Sequence, residues 1–221
     1  MNAVPLSRKL CIAFLGDSLT VGDGDARGTG WPARLMAATS PNPKRMHCYN
    51  LGVGSNLIAD VANRCQTELA ARLTGRDGAG TALMIGVNDA LRASATVNTV
   101  PLDKCTLSQD LSQIIRAGQL YGTVVVIEPA PVLPSLVRDD GGTGEVILMK
   151  LNEVNSILGD VCASLNAPLI LQSEALSKNS EFSSALELGD GLHPTADGYD
   201  VLADNIAKSP TWPKFLSLVA N

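Results

Sequence analysis

The sequence predicts an α/β fold in which a parallel sheet is covered by helices on both faces. Three observations predict it. Short apolar runs bounded by glycine-rich turns alternate with longer stretches whose apolar residues recur every third or fourth position. The short runs lack regular polar alternation, which is the pattern of strands buried on both sides. The alternation continues through 221 residues without an internal repeat, linker or low-complexity tract, a length that fits one domain with a sizeable core.

The first strand is Leu10-Cys11-Ile12-Ala13-Phe14-Leu15, which stops at Gly16-Asp17-Ser18-Leu19-Thr20 and a loop holding Gly22, Asp23, Gly24 and Asp25. Gly30-Trp31-Pro32 opens a short helix running to Ala38, with proline suited to the first turn. Ser40-Pro41-Asn42-Pro43 breaks it, and Arg45 to Leu51 forms a second strand that ends at Gly52-Val53-Gly54-Ser55-Asn56. Leu57, Val61, Cys65, Leu69 and Leu73 then mark an amphipathic helix. Gly75 to Gly80 reads as a loop and Thr81 to Ile85 as the third strand. Asp103 caps a helix with the stripe Leu107, Leu111, Ile114, Ile115 and Gly118. Thr123 to Ile127 is the fourth strand, and the proline-rich stretch from Glu128 to Pro134 is irregular. Ile147, Leu151, Val154, Leu158, Val161 and Leu165 lie on a long helix, followed by a fifth strand at Leu169 to Leu171. From Pro194 onward, Tyr199, Leu202, Ala203 and Ile206 belong to the last packed helix.

Composition narrows the function classes. Hydrophobic residues make up 45% and charged residues 18%, which suits a compact globule. A net charge of -5 without a basic cluster argues against nucleic acid as a partner. Five scattered cysteines, Cys11, Cys48, Cys65, Cys105 and Cys162, show no C-x-x-C spacing. With His47 and His193 as the sole histidines, a metal cage is not expected, and the cysteines read as buried free thiols of a reducing compartment. The N-terminal residues lack the apolar core and cleavage site of a signal peptide, and no stretch reaches membrane-spanning length. A cytoplasmic, soluble chain without a cofactor is the expectation.

A serine at the carboxyl end of a central strand occupies the position where open α/β sheets place reactive groups. Taken alone, Ser18 reads better as the capping serine of a polar strand-to-loop turn. Two further segments change that reading: Gly86-Val87-Asn88-Asp89 and Asp190-Gly191-Leu192-His193-Pro194. Together FLGDSLTVGDG, IGVNDA and DGLHP resemble, in content and order, the motifs of the GDSL or SGNH hydrolase family of serine esterases. They extend from Gly16 to His193. The resemblance implies a three-layer α/β/α sandwich with a five-stranded parallel sheet in flavodoxin-like order, in agreement with the strands counted above. It also implies a small-molecule ester as the substrate.

Ester hydrolysis needs a nucleophile, a base, a group that orients the base, and donors for the developing oxyanion. Ser18 is the candidate nucleophile. His47 lies inside a strand and reads as structural, so His193 is the candidate base. Asp190, three residues before it, can fold back onto Nδ1 and leave Nε2 free to take the serine proton. The same turn could instead hold a capping aspartate and histidine, a reading that Ser18 displaces. Glycine is found two residues before Ser18 but Thr20 stands two residues after it, which separates the chain from α/β-hydrolases with a nucleophile elbow. The backbone N–H of Ser18 and the side-chain amide of Asn88 are candidate oxyanion donors, a neutral amide being suited to the task. Asp89 reads as a cap and Asp17 as an organiser of the loop.

The family's third donor is a backbone N–H from glycine in a motif resembling N-x-G-x-x-G-D. Aligned on Asn50-Leu51-Gly52-Val53-Gly54-Ser55-Asn56, Ser55 takes that glycine's place, and a shift of one residue gives the role to Gly54. Asp23 and Asp25 lack the ligand spacing of a calcium loop and read as solvated turn residues. The segments from Arg27 to Trp31 and from Pro129 to Leu136 are expected to border the pocket. Two other functions fit parts of the pattern: acyl transfer through the same residues, and a non-catalytic flavodoxin-like module binding a phosphate or nucleotide on its glycine loop. The binding module leaves Asp190 and His193 without a task.

Overall fold

In the computed structural model, described over residues 9–40, 46–95, 101–137 and 144–220, five parallel strands form one sheet in the order β2-β1-β3-β4-β5. The strands are β1 (Leu10–Gly16), β2 (Met46–Gly52), β3 (Gly78–Met84), β4 (Thr123–Ile127) and β5 (Leu169–Ile170). The helices are α1 (Ser18–Val21), α2 (Gly30–Thr39), α3 (Ile58–Leu73), α4 (Val87–Ser94), α5 (Lys104–Gln119), α6 (Gly144–Ser164), α7 (Ser173–Ser177), α8 (Ser180–Glu187), α9 (Ala196–Lys208) and α10 (Thr211–Ala220). Met1 to Arg8, the proposed break at Pro41 to Pro43 and the start of the second strand at Arg45 lie outside the described residues.

β1 explains the layering. All seven of its residues are buried, and successive side chains leave the sheet on opposite faces. Leu10, Ile12 and Phe14 join a core built from α2, α9 and α10. Cys11, Ala13 and Leu15 join a second core built from α3, α5 and α6. A strand that must be apolar on both faces cannot show polar alternation, and the continuous run in the sequence is the result. On the first face Phe14 meets Trp31 edge-on, with ring centroids 5.4 Å apart, and Trp212 stacks at 5.1 Å on Phe215.

The expected strands and long helices occur within a few residues of their predicted ends, with two substantive differences. β3 begins at Gly78, three residues before the expected Thr81, so part of the apparent glycine loop is strand. The reason is close packing of α10: a Cβ on Gly80 would lie 2.6 Å from the Phe215 ring, so that strand position excludes a side chain. α9 is also not the last packed helix. α10 follows it and buries Trp212, Phe215, Leu216 and Val219 against the sheet. Their spacing is helical and legible in the sequence. The cysteines divide as well: Cys11, Cys65 and Cys162 are buried, whereas Cys48 and Cys105 are exposed. All five are free. No helix among the described residues is long and apolar enough to cross a membrane.

The strand order reverses direction at the β1/β3 boundary, and the crevice outside the carboxyl ends of these strands is the topological switch point of the sheet. Gly16 pairs with Gly52 on one side and with Met84 on the other. The three segments that follow β1, β2 and β3 therefore emerge side by side. Because α10 holds the opposite end of β3 in place, Phe215→Ala is expected to cost about 3–5 kcal/mol. Urea unfolding followed by tryptophan fluorescence would check this as a lowered midpoint.

Candidate active site

The segment leaving β1 turns at once into α1. Asp17 is the N-cap, with its carboxylate accepting the N–H of Leu19 at 3.0 Å. Ser18 is thereby fixed at the first helical position and is buried. Its Oγ lies 2.8 Å from His193 Nε2. His193 Nδ1 lies 2.8 Å from Asp190 Oδ2.

Both members of the second pair belong to the turn between α8 and α9. Asp190 Oδ1 accepts the backbone N–H groups of Leu192 at 2.9 Å and of His193 at 2.6 Å. Burial pushes the Asp190 carboxyl up, but these N–H bonds and the imidazole outweigh it and hold it below the usual carboxylate range. An ionised Asp190 requires the proton on Nδ1, so Nε2 presents its lone pair to the Ser18 hydroxyl. The three side chains form a continuous hydrogen-bonded line, with Ser18 buried and Asp190 open to solvent.

Asn88 lies in the first turn of α4, just beyond the end of β3. Its Nδ2 donates to the carbonyl of Asn56 at 3.0 Å, leaving one amide hydrogen uncommitted by that bond. Ser55, the residue before Asn56, has φ 60°. It has thus adopted the left-handed conformation natural to glycine. Its loop is closed by the Asn56 N–H on the Val53 carbonyl and tied to β1 by the Val53 N–H on the Gly16 carbonyl, both at 3.2 Å. Gly54, the alternative donor, occupies the same exposed loop. His47 is remote: it pairs with Cys11, whereas Gly52 pairs with Gly16. That places it about 17 Å along the sheet from the serine end.

Several residues play parts that the sequence reading missed or misplaced. Asp25 is not a solvated turn residue: its side chain is fully buried on Arg34, while Asp23 is exposed as expected. Trp31 does not border a pocket, because it is wholly buried under Phe14, and Arg27 turns instead to Asp200. The proline-rich loop does lie against the histidine turn, with the Leu133 N–H donating to the Gly191 carbonyl at 2.7 Å. Asp89 caps α3 rather than its own helix, accepting the N–H of Ile58 at 3.1 Å. Arg64 donates to the carbonyls of Gly16 and Leu51 and to Asn56 Oδ1, at 3.1, 2.8 and 2.9 Å. Asn50 Nδ2 donates to the Thr20 carbonyl at 2.6 Å. Arg64 and Asn50 hold the segments after β1 and β2 together, and Asn88 ties the segment after β3 to them through the Asn56 carbonyl. Arg64 signals itself in the sequence only as a polar residue beside an apolar stripe, whereas Asn50 opens the segment aligned on the N-x-G-x-x-G-D motif.

The sequence model of the GDSL-like lipase/acylhydrolase family matches residues 14–201. No curated protein matches the chain. Among solved structures, it is similar to a lipase/acylhydrolase from Enterococcus faecalis at 20% identity, covering 90% of this chain and 94% of that one, with TM-score 0.68. A member of the lipolytic G-D-S-L family from Veillonella parvula DSM 2008 matches at 20% identity over 91% and 98% of the two chains, with TM-score 0.65. A catalytic mutant of an acetylxylan esterase from Geobacillus stearothermophilus matches at 17% identity over 96% of each, with TM-score 0.69. At such identities the likeness is one of fold.

The electrostatics of this site give a pH signature. Burial pushes the Asp17 carboxyl up to about 7, against partial relief from the Leu19 N–H and His193. The unfolded chain gives up this proton near 3.8, the folded protein only near 7. Between these values the unfolded state binds fewer protons, so stability falls as pH rises through that window and levels off above it. Asp17→Asn keeps a side-chain oxygen for the cap and removes the titration. Its thermal midpoint is expected to be flatter than the wild type's across that window, measured by melts at a series of pH values.

Proposed function

The chain belongs to the GDSL-like lipase/acylhydrolase family, and from that premise we propose that it hydrolyses small carboxylic esters through an acyl-enzyme formed on Ser18. The carrying observation is the unbroken line from Ser18 Oγ through His193 to Asp190, with both contacts at 2.8 Å. His193 Nε2 takes the Ser18 proton as Oγ attacks the ester carbonyl carbon. The carbonyl π pair moves onto oxygen, and the oxyanion is received by the N–H of Ser18, the N–H of Ser55 and the amide of Asn88. Collapse breaks the bond to the alcohol, which leaves with the proton held on His193. Water then gives a proton to His193 and attacks the acyl carbon, and the acid departs as Ser18 recovers its proton. Asp190 stays ionised throughout and stabilises the imidazolium.

In this reading Ser55 has a reason for its backbone. A non-glycine residue in the left-handed region costs on the order of 1 kcal/mol, and such outliers concentrate at functional loops. The donor in this reading is the main-chain N–H of Ser55, and the serine hydroxyl is not needed. The binding-module reading gives no role to a histidine held at 2.8 Å from a buried serine.

Ser18→Ala and His193→Ala are each expected to abolish most turnover of p-nitrophenyl esters while circular dichroism stays unchanged. Asp190→Asn should lose up to about ten-thousand-fold in kcat, and full activity there would reduce the line to a serine–histidine pair. Asn88→Ala is expected to lower kcat about a hundred- to a thousand-fold. Ser55→Ala and Ser55→Gly retain the N–H and should stay within about tenfold of wild type. A large loss in a stable Ser55→Ala variant would implicate the hydroxyl instead. A panel of esters of rising acyl length, run with and without an added alcohol, reads out acyl preference and separates hydrolysis from transfer.

A further inference from the structure

We propose that Arg34 is a positioning residue: it clamps the loop that leaves Ser18 to the helix that follows His193, and so sets the contact between the two. The inference rests on Ser18 being the nucleophile.

The loop between α1 and α2 is the only covalent continuation of the serine segment, and its first residues hold Ser18 directly. The Ser18 carbonyl accepts the N–H of Gly22 at 2.9 Å and of Asp23 at 3.0 Å. The Asp23 carbonyl in turn accepts the hydroxyl of Tyr199, on α9, at 2.7 Å. Gly24, with φ 81°, lies against the base itself: a Cβ there would sit 3.2 Å from His193 Cβ and 3.1 Å from the Pro194 carbonyl. The backbone at Asp23 and Gly24 therefore packs between the serine helix and the histidine turn. Any slack in it changes the gap that the proton must cross.

Asp25 and Arg34 remove that slack. The Asp25 carboxylate accepts the N–H groups of Arg27, Thr29 and Gly30, at 2.9, 3.0 and 2.9 Å, which folds the loop around it. Arg34 meets the same carboxylate with two nitrogens, at 2.6 and 2.9 Å. Its Nε donates to Asp200 Oδ1 on α9 at 2.6 Å, and one terminal nitrogen reaches the Ala196 carbonyl at 3.4 Å. Its guanidinium carbon lies 5.9 Å from the centre of the Tyr199 ring. Arg27 closes the outer side on Asp200 at 2.8 Å. One planar cation thus fastens the loop to the first turns of α9, three residues beyond His193. A guanidinium can do this because its donors point along several edges at once, whereas an ammonium offers a single charged point.

Stability alone does not account for the arrangement. A buried ion pair contributes little net stability compared with an apolar pair of the same shape. The bonds here converge on the two segments whose relative placement the reaction requires. A displacement of about 1 Å between reacting groups costs on the order of a hundredfold in rate.

The test uses Arg34→Lys, which keeps a charge beside Asp25 but cannot hold Asp25 and Asp200 together, and Asp200→Ala, which removes the acceptor on α9 and leaves the buried Arg34–Asp25 pair intact. Each variant and the double variant are assayed well below their own melting temperatures. The readouts are kcat and KM for p-nitrophenyl acetate and the rate at which a fluorophosphonate labels Ser18. We expect kcat and labelling rate to fall together by about ten- to a hundredfold, with KM within about twofold. The double variant should be no slower than the slower single, because both remove one link. Folded variants that label at the wild-type rate would overturn the inference whatever their melting temperatures, as would losses that simply add. If Arg34→Lys fails to fold, Asp200→Ala, at a half-exposed position, decides alone. A wild-type enzyme that is not labelled at Ser18 would instead overturn the functional reading itself, and the inference with it.

Discussion

The parallel ladder on both sides of β1 is the constraint from which the rest of the molecule follows. Register fixes the carboxyl end of β1 beside those of β2 and β3, so the segments bearing Ser18, Ser55 and Asn88 have adjacent starting points. That edge is also where three strands run out of ladder partners, and strand-end carbonyls cannot be left bare at a buried edge. Arg64 answers the need by bonding the carbonyls of Gly16 and Leu51 with one guanidinium. Asn50, near the end of β2, bonds the Thr20 carbonyl of α1 and ties that helix to the same edge. The cost of ending three strands together is thereby turned into a stiff platform for the loops.

The carboxylates of this platform sit in three different settings, and each setting follows from its partners. Asp190 is held by N–H groups and an imidazole and remains ionised. Asp25 is held by a guanidinium and three N–H groups, which push its carboxyl far below the ordinary range. Asp17 and Asp89 are buried with too few donors to offset the loss of water, and their carboxyls rise to about 7 and about 6. The first two can carry a fixed negative charge near neutral pH, one oriented on His193 and the other on the loop that follows Ser18. The last two serve the backbone as caps, and burial makes them give up their protons closer to neutrality than an ordinary carboxyl does.

Much of this was legible in the sequence, because burial leaves a pattern. The continuous apolar run of β1, the every-fourth-residue stripe of α3 and the valine-rich β4 state which faces are covered. The segments holding Ser18, Asn88 and His193 are local: each pairs a polar residue with the turn that presents it. β3 was read short because its glycines signal a loop when seen alone. They are strand positions only once α10, more than a hundred residues away in the chain, is known to lie on them, with Val219 against Gly78 and Phe215 against Gly80. Asp25 was misread for the same reason. Nothing beside it in the sequence says that a residue on α2 will take away its water.

On the proposed mechanism, residues that react and residues that hold the reacting groups in place leave different traces. The serine, the histidine and its aspartate can be recognised by short-range spacing, since a turn must present each of them. Arg34 and Asp200 stand 166 positions apart, and no local rule links them. In the proposed mechanism they answer a requirement of the fold: Ser18 follows the first strand while His193 precedes the penultimate helix, so the two halves of the proposed proton path come from opposite ends of the chain. Packing alone leaves such a junction free to slide, because apolar contacts are indifferent to small displacements along a surface. Directional bonds from a single planar cation are not, and a fold that draws its reacting pair from distant segments has reason to put one at the seam.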